Sequence, residues 1–210
     1  MFLAHPDAGV RHALGDEIAG TGISVVGESG NGREALARIL DQAPDVALLS
    51  LDLPEVGTAE VCEQLRTELP VCRVLLLADA AGDDDDHDDG YAGFLAGALG
   101  CYVIGAPQVS LVKAIRGTMR RESLPTAAWA TRILAQYAEL AEEEGDRLVP
   151  PPKLTAIEAD VLGRLAAGDT PQVIADAQDI TTHLVRIHAG YAVIKLSRAL
   201  ADERLMATVR

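Results

Sequence analysis

Short apolar runs alternate with helix-spaced segments through the first 121 residues. That alternation predicts a parallel α/β sheet with helices between its strands. Strands are predicted near Met1–Ala4, Ile23–Gly27, Val46–Ser50, Arg73–Ala78 and Gly100–Ile104. Helices are predicted near Asp7–Ile18, Gly32–Gln42, Thr58–Glu68, Gly90–Ala98 and Val109–Arg120, with Asn31-Gly32 marking the turn before the second. In such a sheet the working crevice lies beyond the carboxyl ends of the strands. His5, Ser50, Ala78 and Ile104 fall at those ends.

The pattern then becomes purely helical. A helix is predicted from Pro125 to Glu143, with Trp129, Ile133, Leu134, Tyr137 and Leu140 at apolar spacing. Glu144–Pro152 reads as a linker, stiffened by Pro150-Pro151-Pro152. Thr155 and Glu158 form a capping-box signature for a helix from Ala156 to Ala167, which stops at Gly168. Pro171 opens a short helix over Gln172–Ala177. Two more helices are predicted, Thr182–Lys195 and Arg198–Val209. The expected domains are 1–121 (α/β), 122–152 (linker helix and Pro-rich linker) and 153–210 (all-α).

Composition supports two small domains: 210 residues, 49% apolar, with aromatics at 3%. The cores must therefore be built from Leu, Val, Ile and Ala. No apolar stretch reaches the roughly 20 residues that span a bilayer, and no basic region precedes an apolar run at the N-terminus. A cytoplasmic protein without membrane partner or signal peptide is expected. Cys62, Cys72 and Cys101 are odd in number and lack metal-ligand spacing, which suits reduced thiols. The net charge of −14 is uneven: residues 1–150 hold 11 Lys/Arg against 25 Asp/Glu, whereas residues 151–210 hold seven of each. Neither half is a basic footprint for nucleic acid. The run Asp83-Asp84-Asp85-Asp86-His87-Asp88-Asp89 reads as a solvated loop, with a weak cation site or a docking surface for a basic partner as alternatives.

Several segments, in order, carry a family resemblance. GISVVGESGNGREALARI, PDVALLSLDLP, LDLPEVGTAEVCEQL and AGALGCYVIGAP resemble a receiver domain of NarL/FixJ-class response regulators. LTAIEADVLGRLAAGDTPQVIADAQDITTHLVRIH resembles the LuxR-type helix-turn-helix which that class carries. The resemblance implies a doubly wound, five-stranded, receiver-like domain followed by an all-α helix-turn-helix domain.

It also implies where the receiver chemistry should sit. In the family an aspartate at the Ser50 position accepts a phosphoryl group, and two acids at His5 and Pro6 hold Mg²⁺. A hydroxyl residue stands at Ala78, a lysine at Ile104 and an aromatic switch at Cys101, beside Tyr102. Phosphoryl transfer needs charge neutralisation and positioned donors, and here acceptor, metal ligands, hydroxyl and lysine have departed together. A phosphorylation-independent receiver is the expectation, with no cofactor, no metal and no enzymatic activity. Asp52 is the alternative acceptor, just past the strand end. Ser50 as a nucleophile beside His5 would lack a third group and an oxyanion motif.

In the family's recognition helix the pattern is threonine, valine, lysine, any residue, histidine; this chain reads Leu184-Val185-Arg186-Ile187-His188. Arg186 takes the lysine position, where a guanine edge or a phosphate is in reach. Ile187 matches a base-edge position, and Leu184 loses a phosphate-directed hydroxyl. Thr181, Thr182 and His183 stand at the helix start, where donors commonly meet phosphate, and Lys195 stands at its far end. His183 and His188 read equally well as ordinary histidines. Gly190 replaces an often basic residue and costs helix propensity, up to about 1 kcal/mol. Ala189 and Ala192 suggest loose packing.

The expected function is a transcriptional regulator that binds promoter DNA as a homodimer. Its receiver would serve dimerisation, or sense a small-molecule ligand or protein partner. The alternative is an interaction protein that does not bind DNA and pairs with another regulator through its acidic receiver. Arg198–Val209 is the expected contact between DNA-binding domains.

Overall fold

The apolar run Val46–Ser50 is buried along its whole length and forms the central strand of a five-stranded parallel sheet. A run apolar on both faces suits a strand covered by helices from both sides. This computed structural model describes residues 1–79, 88–105, 110–123, 125–142 and 153–208. They fall into two units, Met1–Arg120 and Arg121–Arg210. Residues 83–87 of the acidic run and Pro150-Pro151-Pro152 lie outside the described residues.

The first unit contains strands β1 (Phe2–Ala4), β2 (Gly27–Ser29), β3 (Val46–Ser50), β4 (Arg73–Asp79) and β5 (Cys101–Ile104). Its helices are α1 (Ala8–Ile18), α2 (Gly32–Gln42), α3 (Thr58–Glu68), α4 (Asp88–Leu95) and α5 (Leu111–Met119). The sheet order is β2-β1-β3-β4-β5. Strand order reverses between β1 and β3, and a doubly wound sheet opens its crevice at that point. Ala4 lies opposite Leu49, and Ser50 opposite Leu77, so His5 and Ser50 both border the crevice. Leu3, Leu48, Leu75 and Leu77 pack with Leu14 and Ile18 of α1 and Leu111 and Ile115 of α5. Phe2, Leu49 and Leu76 face the other way by strand alternation, and Ile39, Leu65 and Phe94 of α2, α3 and α4 are buried.

β2 corrects the sequence expectation. It forms at Gly27–Ser29 rather than Ile23–Gly27, because the register places Gly27 opposite Phe2. Ile23 and Val25 pack against the core cluster, so their apolar pattern reflects packing and not ladder pairing.

The second unit contains α6 (Ala127–Glu142), α7 (Ala156–Ala166), α8 (Pro171–Gln178) and α9 (Thr182–Thr208). α6 packs on α7 and α9, burying Trp129, Ala130 and Ile133. The capping box closes as read: the Thr155 hydroxyl accepts from the Glu158 amide, and the Glu158 carboxylate accepts from the Thr155 amide. Thr170 caps α8, and Asp179, in the left-handed region at φ 53°, ends it. Val185, Ala189, Ala192 and Leu196 are fully buried, so the small alanines sit in the core.

The two predicted terminal helices are one. α9 runs 27 residues without a break. No glycine or proline occurs between Tyr191 and Thr208. Leu196 and Leu200 continue the buried stripe, and the Ser197 hydroxyl donates to the Ile194 carbonyl at 3.3 Å instead of interrupting the helix.

All three cysteines are free. Burial pushes the thiols up, Cys62 to about 12 and Cys72 and Cys101 to about 11. They stay protonated at neutral pH.

Candidate functional site

Asp7 opens α1 in the most direct way available to a carboxylate. Its Oδ1 accepts the amides of Gly9 at 2.6 Å and Val10 at 3.1 Å. Those bonds from Val10 and Gly9 hold its carboxyl below the usual range. The acid next to Pro6 is therefore a helix cap. Its own amide donates to His5 Nδ1 at 3.1 Å. With Nδ1 accepting, the proton of a neutral ring sits on Nε2, which lies 3.7 Å from Asp79 Oδ1. His5 is buried at the foot of the crevice.

Arg11, one turn into α1, reaches back over this corner. Its Nη1 donates to the His5 carbonyl at 2.6 Å and the Pro6 carbonyl at 3.2 Å, and its Nε lies 3.6 Å from Glu28 Oε2. A permanent cation thus sits on the backbone carbonyls of His5 and Pro6. Sequence reading missed it, because the contact forms only where the chain before α1 folds back beside its first turn.

Ser50 is 2% exposed. Its hydroxyl accepts the Asp52 amide at 3.3 Å, and its carbonyl accepts the Thr58 hydroxyl at 2.5 Å. Asp52 itself is exposed in the turn after β3. Ala78 pairs with Val103, and Ile104 with Asp79, at the ends of β4 and β5. Among the described residues, no group of three His, Cys, Asp or Glu side chains could hold a metal ion.

In the second unit, the Thr181 hydroxyl accepts the Leu184 amide at 3.2 Å at the start of α9. Thr182, Ile187 and His188 are half-buried, whereas Thr181, His183, Leu184 and Tyr191 are exposed, so the outward face mixes polar and apolar side chains. The cations there are already engaged. Glu122, with a side chain only 8% exposed, lies 3.0 Å from His183 Nδ1 and 3.9 Å from Arg186 Nη1. Lys195 Nζ donates to both oxygens of Glu158, at 2.9 and 2.7 Å, tying α9 to the start of α7. Gly190 is buried, and a Cβ there would fall 2.0 Å from the Arg121 carbonyl oxygen. The glycine therefore answers to a close backbone approach. Glu122 and Glu158 gave no sign of these partners in sequence, since each partner lies far along the chain.

The Glu158–Lys195 pair makes stability depend on acid. Burial opposes ionisation of Glu158, but the hydrogen bonds from Lys195 and Thr155 outweigh it and hold the carboxyl below its ordinary range. A depressed folded value means the contribution is complete above the unfolded value of about 4.3 and is lost as pH falls through the folded value. Lys195→Met is expected to cost about 2 kcal/mol at neutral pH and to raise the acid-unfolding midpoint, followed by circular dichroism. An unchanged midpoint would show that the pair contributes nothing.

A doubly wound receiver-like unit followed by a helix-turn-helix unit is the architecture of a DNA-binding response regulator. The chain is 31% identical over 197 residues to the DNA-binding transcriptional activator DevR/DosR of Mycobacterium tuberculosis, across 93% of this chain and 87% of that protein. It is 28% identical over 178 residues to the response regulator VraR of Staphylococcus saprophyticus, across 83% and 78%. The solved signal receiver domain of the response regulator NarL from Mycobacterium tuberculosis superposes with a TM-score of 0.51 at 27% identity, covering 57% of this chain and 94% of that one. No family model matches the chain. The chain belongs to the family of LuxR-type response-regulator transcription factors.

Proposed function

We propose that this family member is a transcriptional regulator that binds DNA through α8 and α9 and works without phosphorylation of its receiver. The observation that carries the second half is the crevice corner. Arg11 covers the His5 and Pro6 carbonyls, and a buried serine stands at the acceptor position. The kinship with DevR/DosR, a DNA-binding activator, supports the first half. The receiver then serves dimerisation or senses a ligand or partner. No described helix is long and apolar enough to cross a membrane, which suits a cytoplasmic regulator.

Two measurements test this. Acetyl phosphate with Mg²⁺ should leave the intact mass unchanged, and a phosphoryl adduct on Asp52 would defeat the phosphate-free reading. Fluorescence anisotropy on genomic fragments should show saturable binding that weakens with salt. Arg186→Ala should weaken it by about tenfold, the worth of one good cation contact.

The pairing of His183, Arg186 and Lys195 with carboxylates favours a second reading, a protein-interaction module that does not bind DNA. On that reading a folded sample binds no fragment, and Arg186→Ala is silent.

A further inference from the structure

Among the described residues of the second unit, the large apolar side chains that stand exposed are Val173, Leu184 and Tyr191, and all of them lie on α8 and α9. A single exposed apolar residue needs no explanation, but neighbours that form a patch mark a binding surface. On α9, Leu184 is 38% and Tyr191 44% exposed, and half-buried Ile187 lies between them. Steps of three and four residues put all three on one stripe of the helix. The stripe runs about 10 Å at 1.5 Å per residue, which matches about three base-pair steps of 3.4 Å. The polar side chains beside it are already engaged. The Thr181 hydroxyl accepts the Leu184 amide, His183 lies 3.0 Å from Glu122, and Lys195 donates to Glu158. Gly190 brings no side chain. In the major groove, the base feature that an apolar side chain reads is the C5-methyl group of thymine.

We propose that α9 selects its sites by thymine methyl groups, which Leu184, Ile187 and Tyr191 cover. The inference rests on the DNA-binding reading of α9 and adds what that helix reads. In a helix-turn-helix the second helix enters the groove while the first crosses the backbone, so Val173 on α8 is left outside the stripe. A methyl group carries neither charge nor donor, so the discrimination comes from burial. Phosphate contacts position the protein without carrying sequence, so Arg186 adds affinity to every site alike.

The test uses the full chain and a genomic fragment that it binds, amplified once with thymidine triphosphate and once with deoxyuridine triphosphate. The two duplexes present the same hydrogen-bonding groups and phosphates and differ in the methyl. Anisotropy should show the uracil duplex binding about tenfold more weakly, since each buried methyl counts for about fourfold. That ratio should hold at low and high salt while both affinities fall. Leu184→Ala combined with Tyr191→Ala should bring the ratio close to one. Arg186→Ala should weaken both duplexes and leave the ratio unchanged. Equal binding of the two duplexes by wild type overturns the proposal while leaving DNA binding intact. A ratio that persists in the double variant also overturns it, because the methyls then act through the shape of the duplex. A ratio that vanishes at high salt does the same, since burial is not screened. If the folded protein binds no fragment, the DNA-binding reading itself falls, and the proposal with it. Should the double variant lose its fold by circular dichroism, each single substitution is required to lower the ratio by itself.

Discussion

Gly32→Ala is expected to destabilise the first unit by about 3 kcal/mol, the scale of a forced overlap in a packed site. Gly32 is the first residue of α2, and its amide donates to the Pro54 carbonyl at 3.0 Å. A Cβ there would lie 1.9 Å from the Val56 carbonyl oxygen and 2.9 Å from its carbon. Both atoms are backbone, so no rotamer relieves the clash. The gain in helix propensity, about 1 kcal/mol, is too small to offset it. The displaced stretch joins β3 to α3, directly after Ser50, so the damage would reach the crevice. Urea unfolding read on the first unit gives the number. Unchanged stability would mean that the 54–56 loop does not rest on α2.

Ser50→Asp is expected to fail as a repair. An aspartate at position 50 should yield no phosphoryl adduct with acetyl phosphate and Mg²⁺, and should cost about 2–4 kcal/mol. The side chain at 50 is buried, and its present hydroxyl accepts the Asp52 amide. A carboxylate there would have to be stripped of water. The residues that could compensate are a proline at 6, an alanine at 78 and an isoleucine at 104. The nearby cation of α1 is committed to the His5 and Pro6 carbonyls and to Glu28. Intact mass and urea unfolding of the same sample decide both halves. Uptake of phosphate at position 50 would show that the Arg11 cation can supply the positive charge a metal ion would.

The sheet was legible because its strands obey local rules. Val46–Ser50 is a continuous apolar run bounded by turn residues, and it forms the strand as read. Gly32–Gln42 and Thr58–Glu68 likewise form as read, since 3.6-residue periodicity announces both and Asn31 caps the first. The errors have a common cause. Ile23–Val26 looks like a strand because it packs like one, but pairing is a property of register, which a single segment does not carry. The expected break between Lys195 and Arg198 had no breaker behind it, since neither glycine nor proline stands there. At the crevice, the placement of His5, Pro6, Ser50, Ala78 and Ile104 at or beside strand ends was readable. What surrounds them was not, because Arg11 and Asp79 act through folded contacts. Glu122 was the hardest case: an isolated acid between an arginine and a serine looks like surface, and only the fold brings it against His183.

The unbroken α9 has a mechanical meaning. Its 27 residues make a rod about 40 Å long at 1.5 Å per residue. A hinge between the recognition turns and the C-terminal turns would let each find its own partner. A rod does not: each residue is fixed about 100° from the next, so both ends share one angular phase. A grip on the last turns, by a second copy of this chain or anything else, becomes a torque on Arg186 and Tyr191. The spacing and facing of two recognition ends would then be set by how the far ends of two rods meet, as the teeth of two keys are set by how their bows are held.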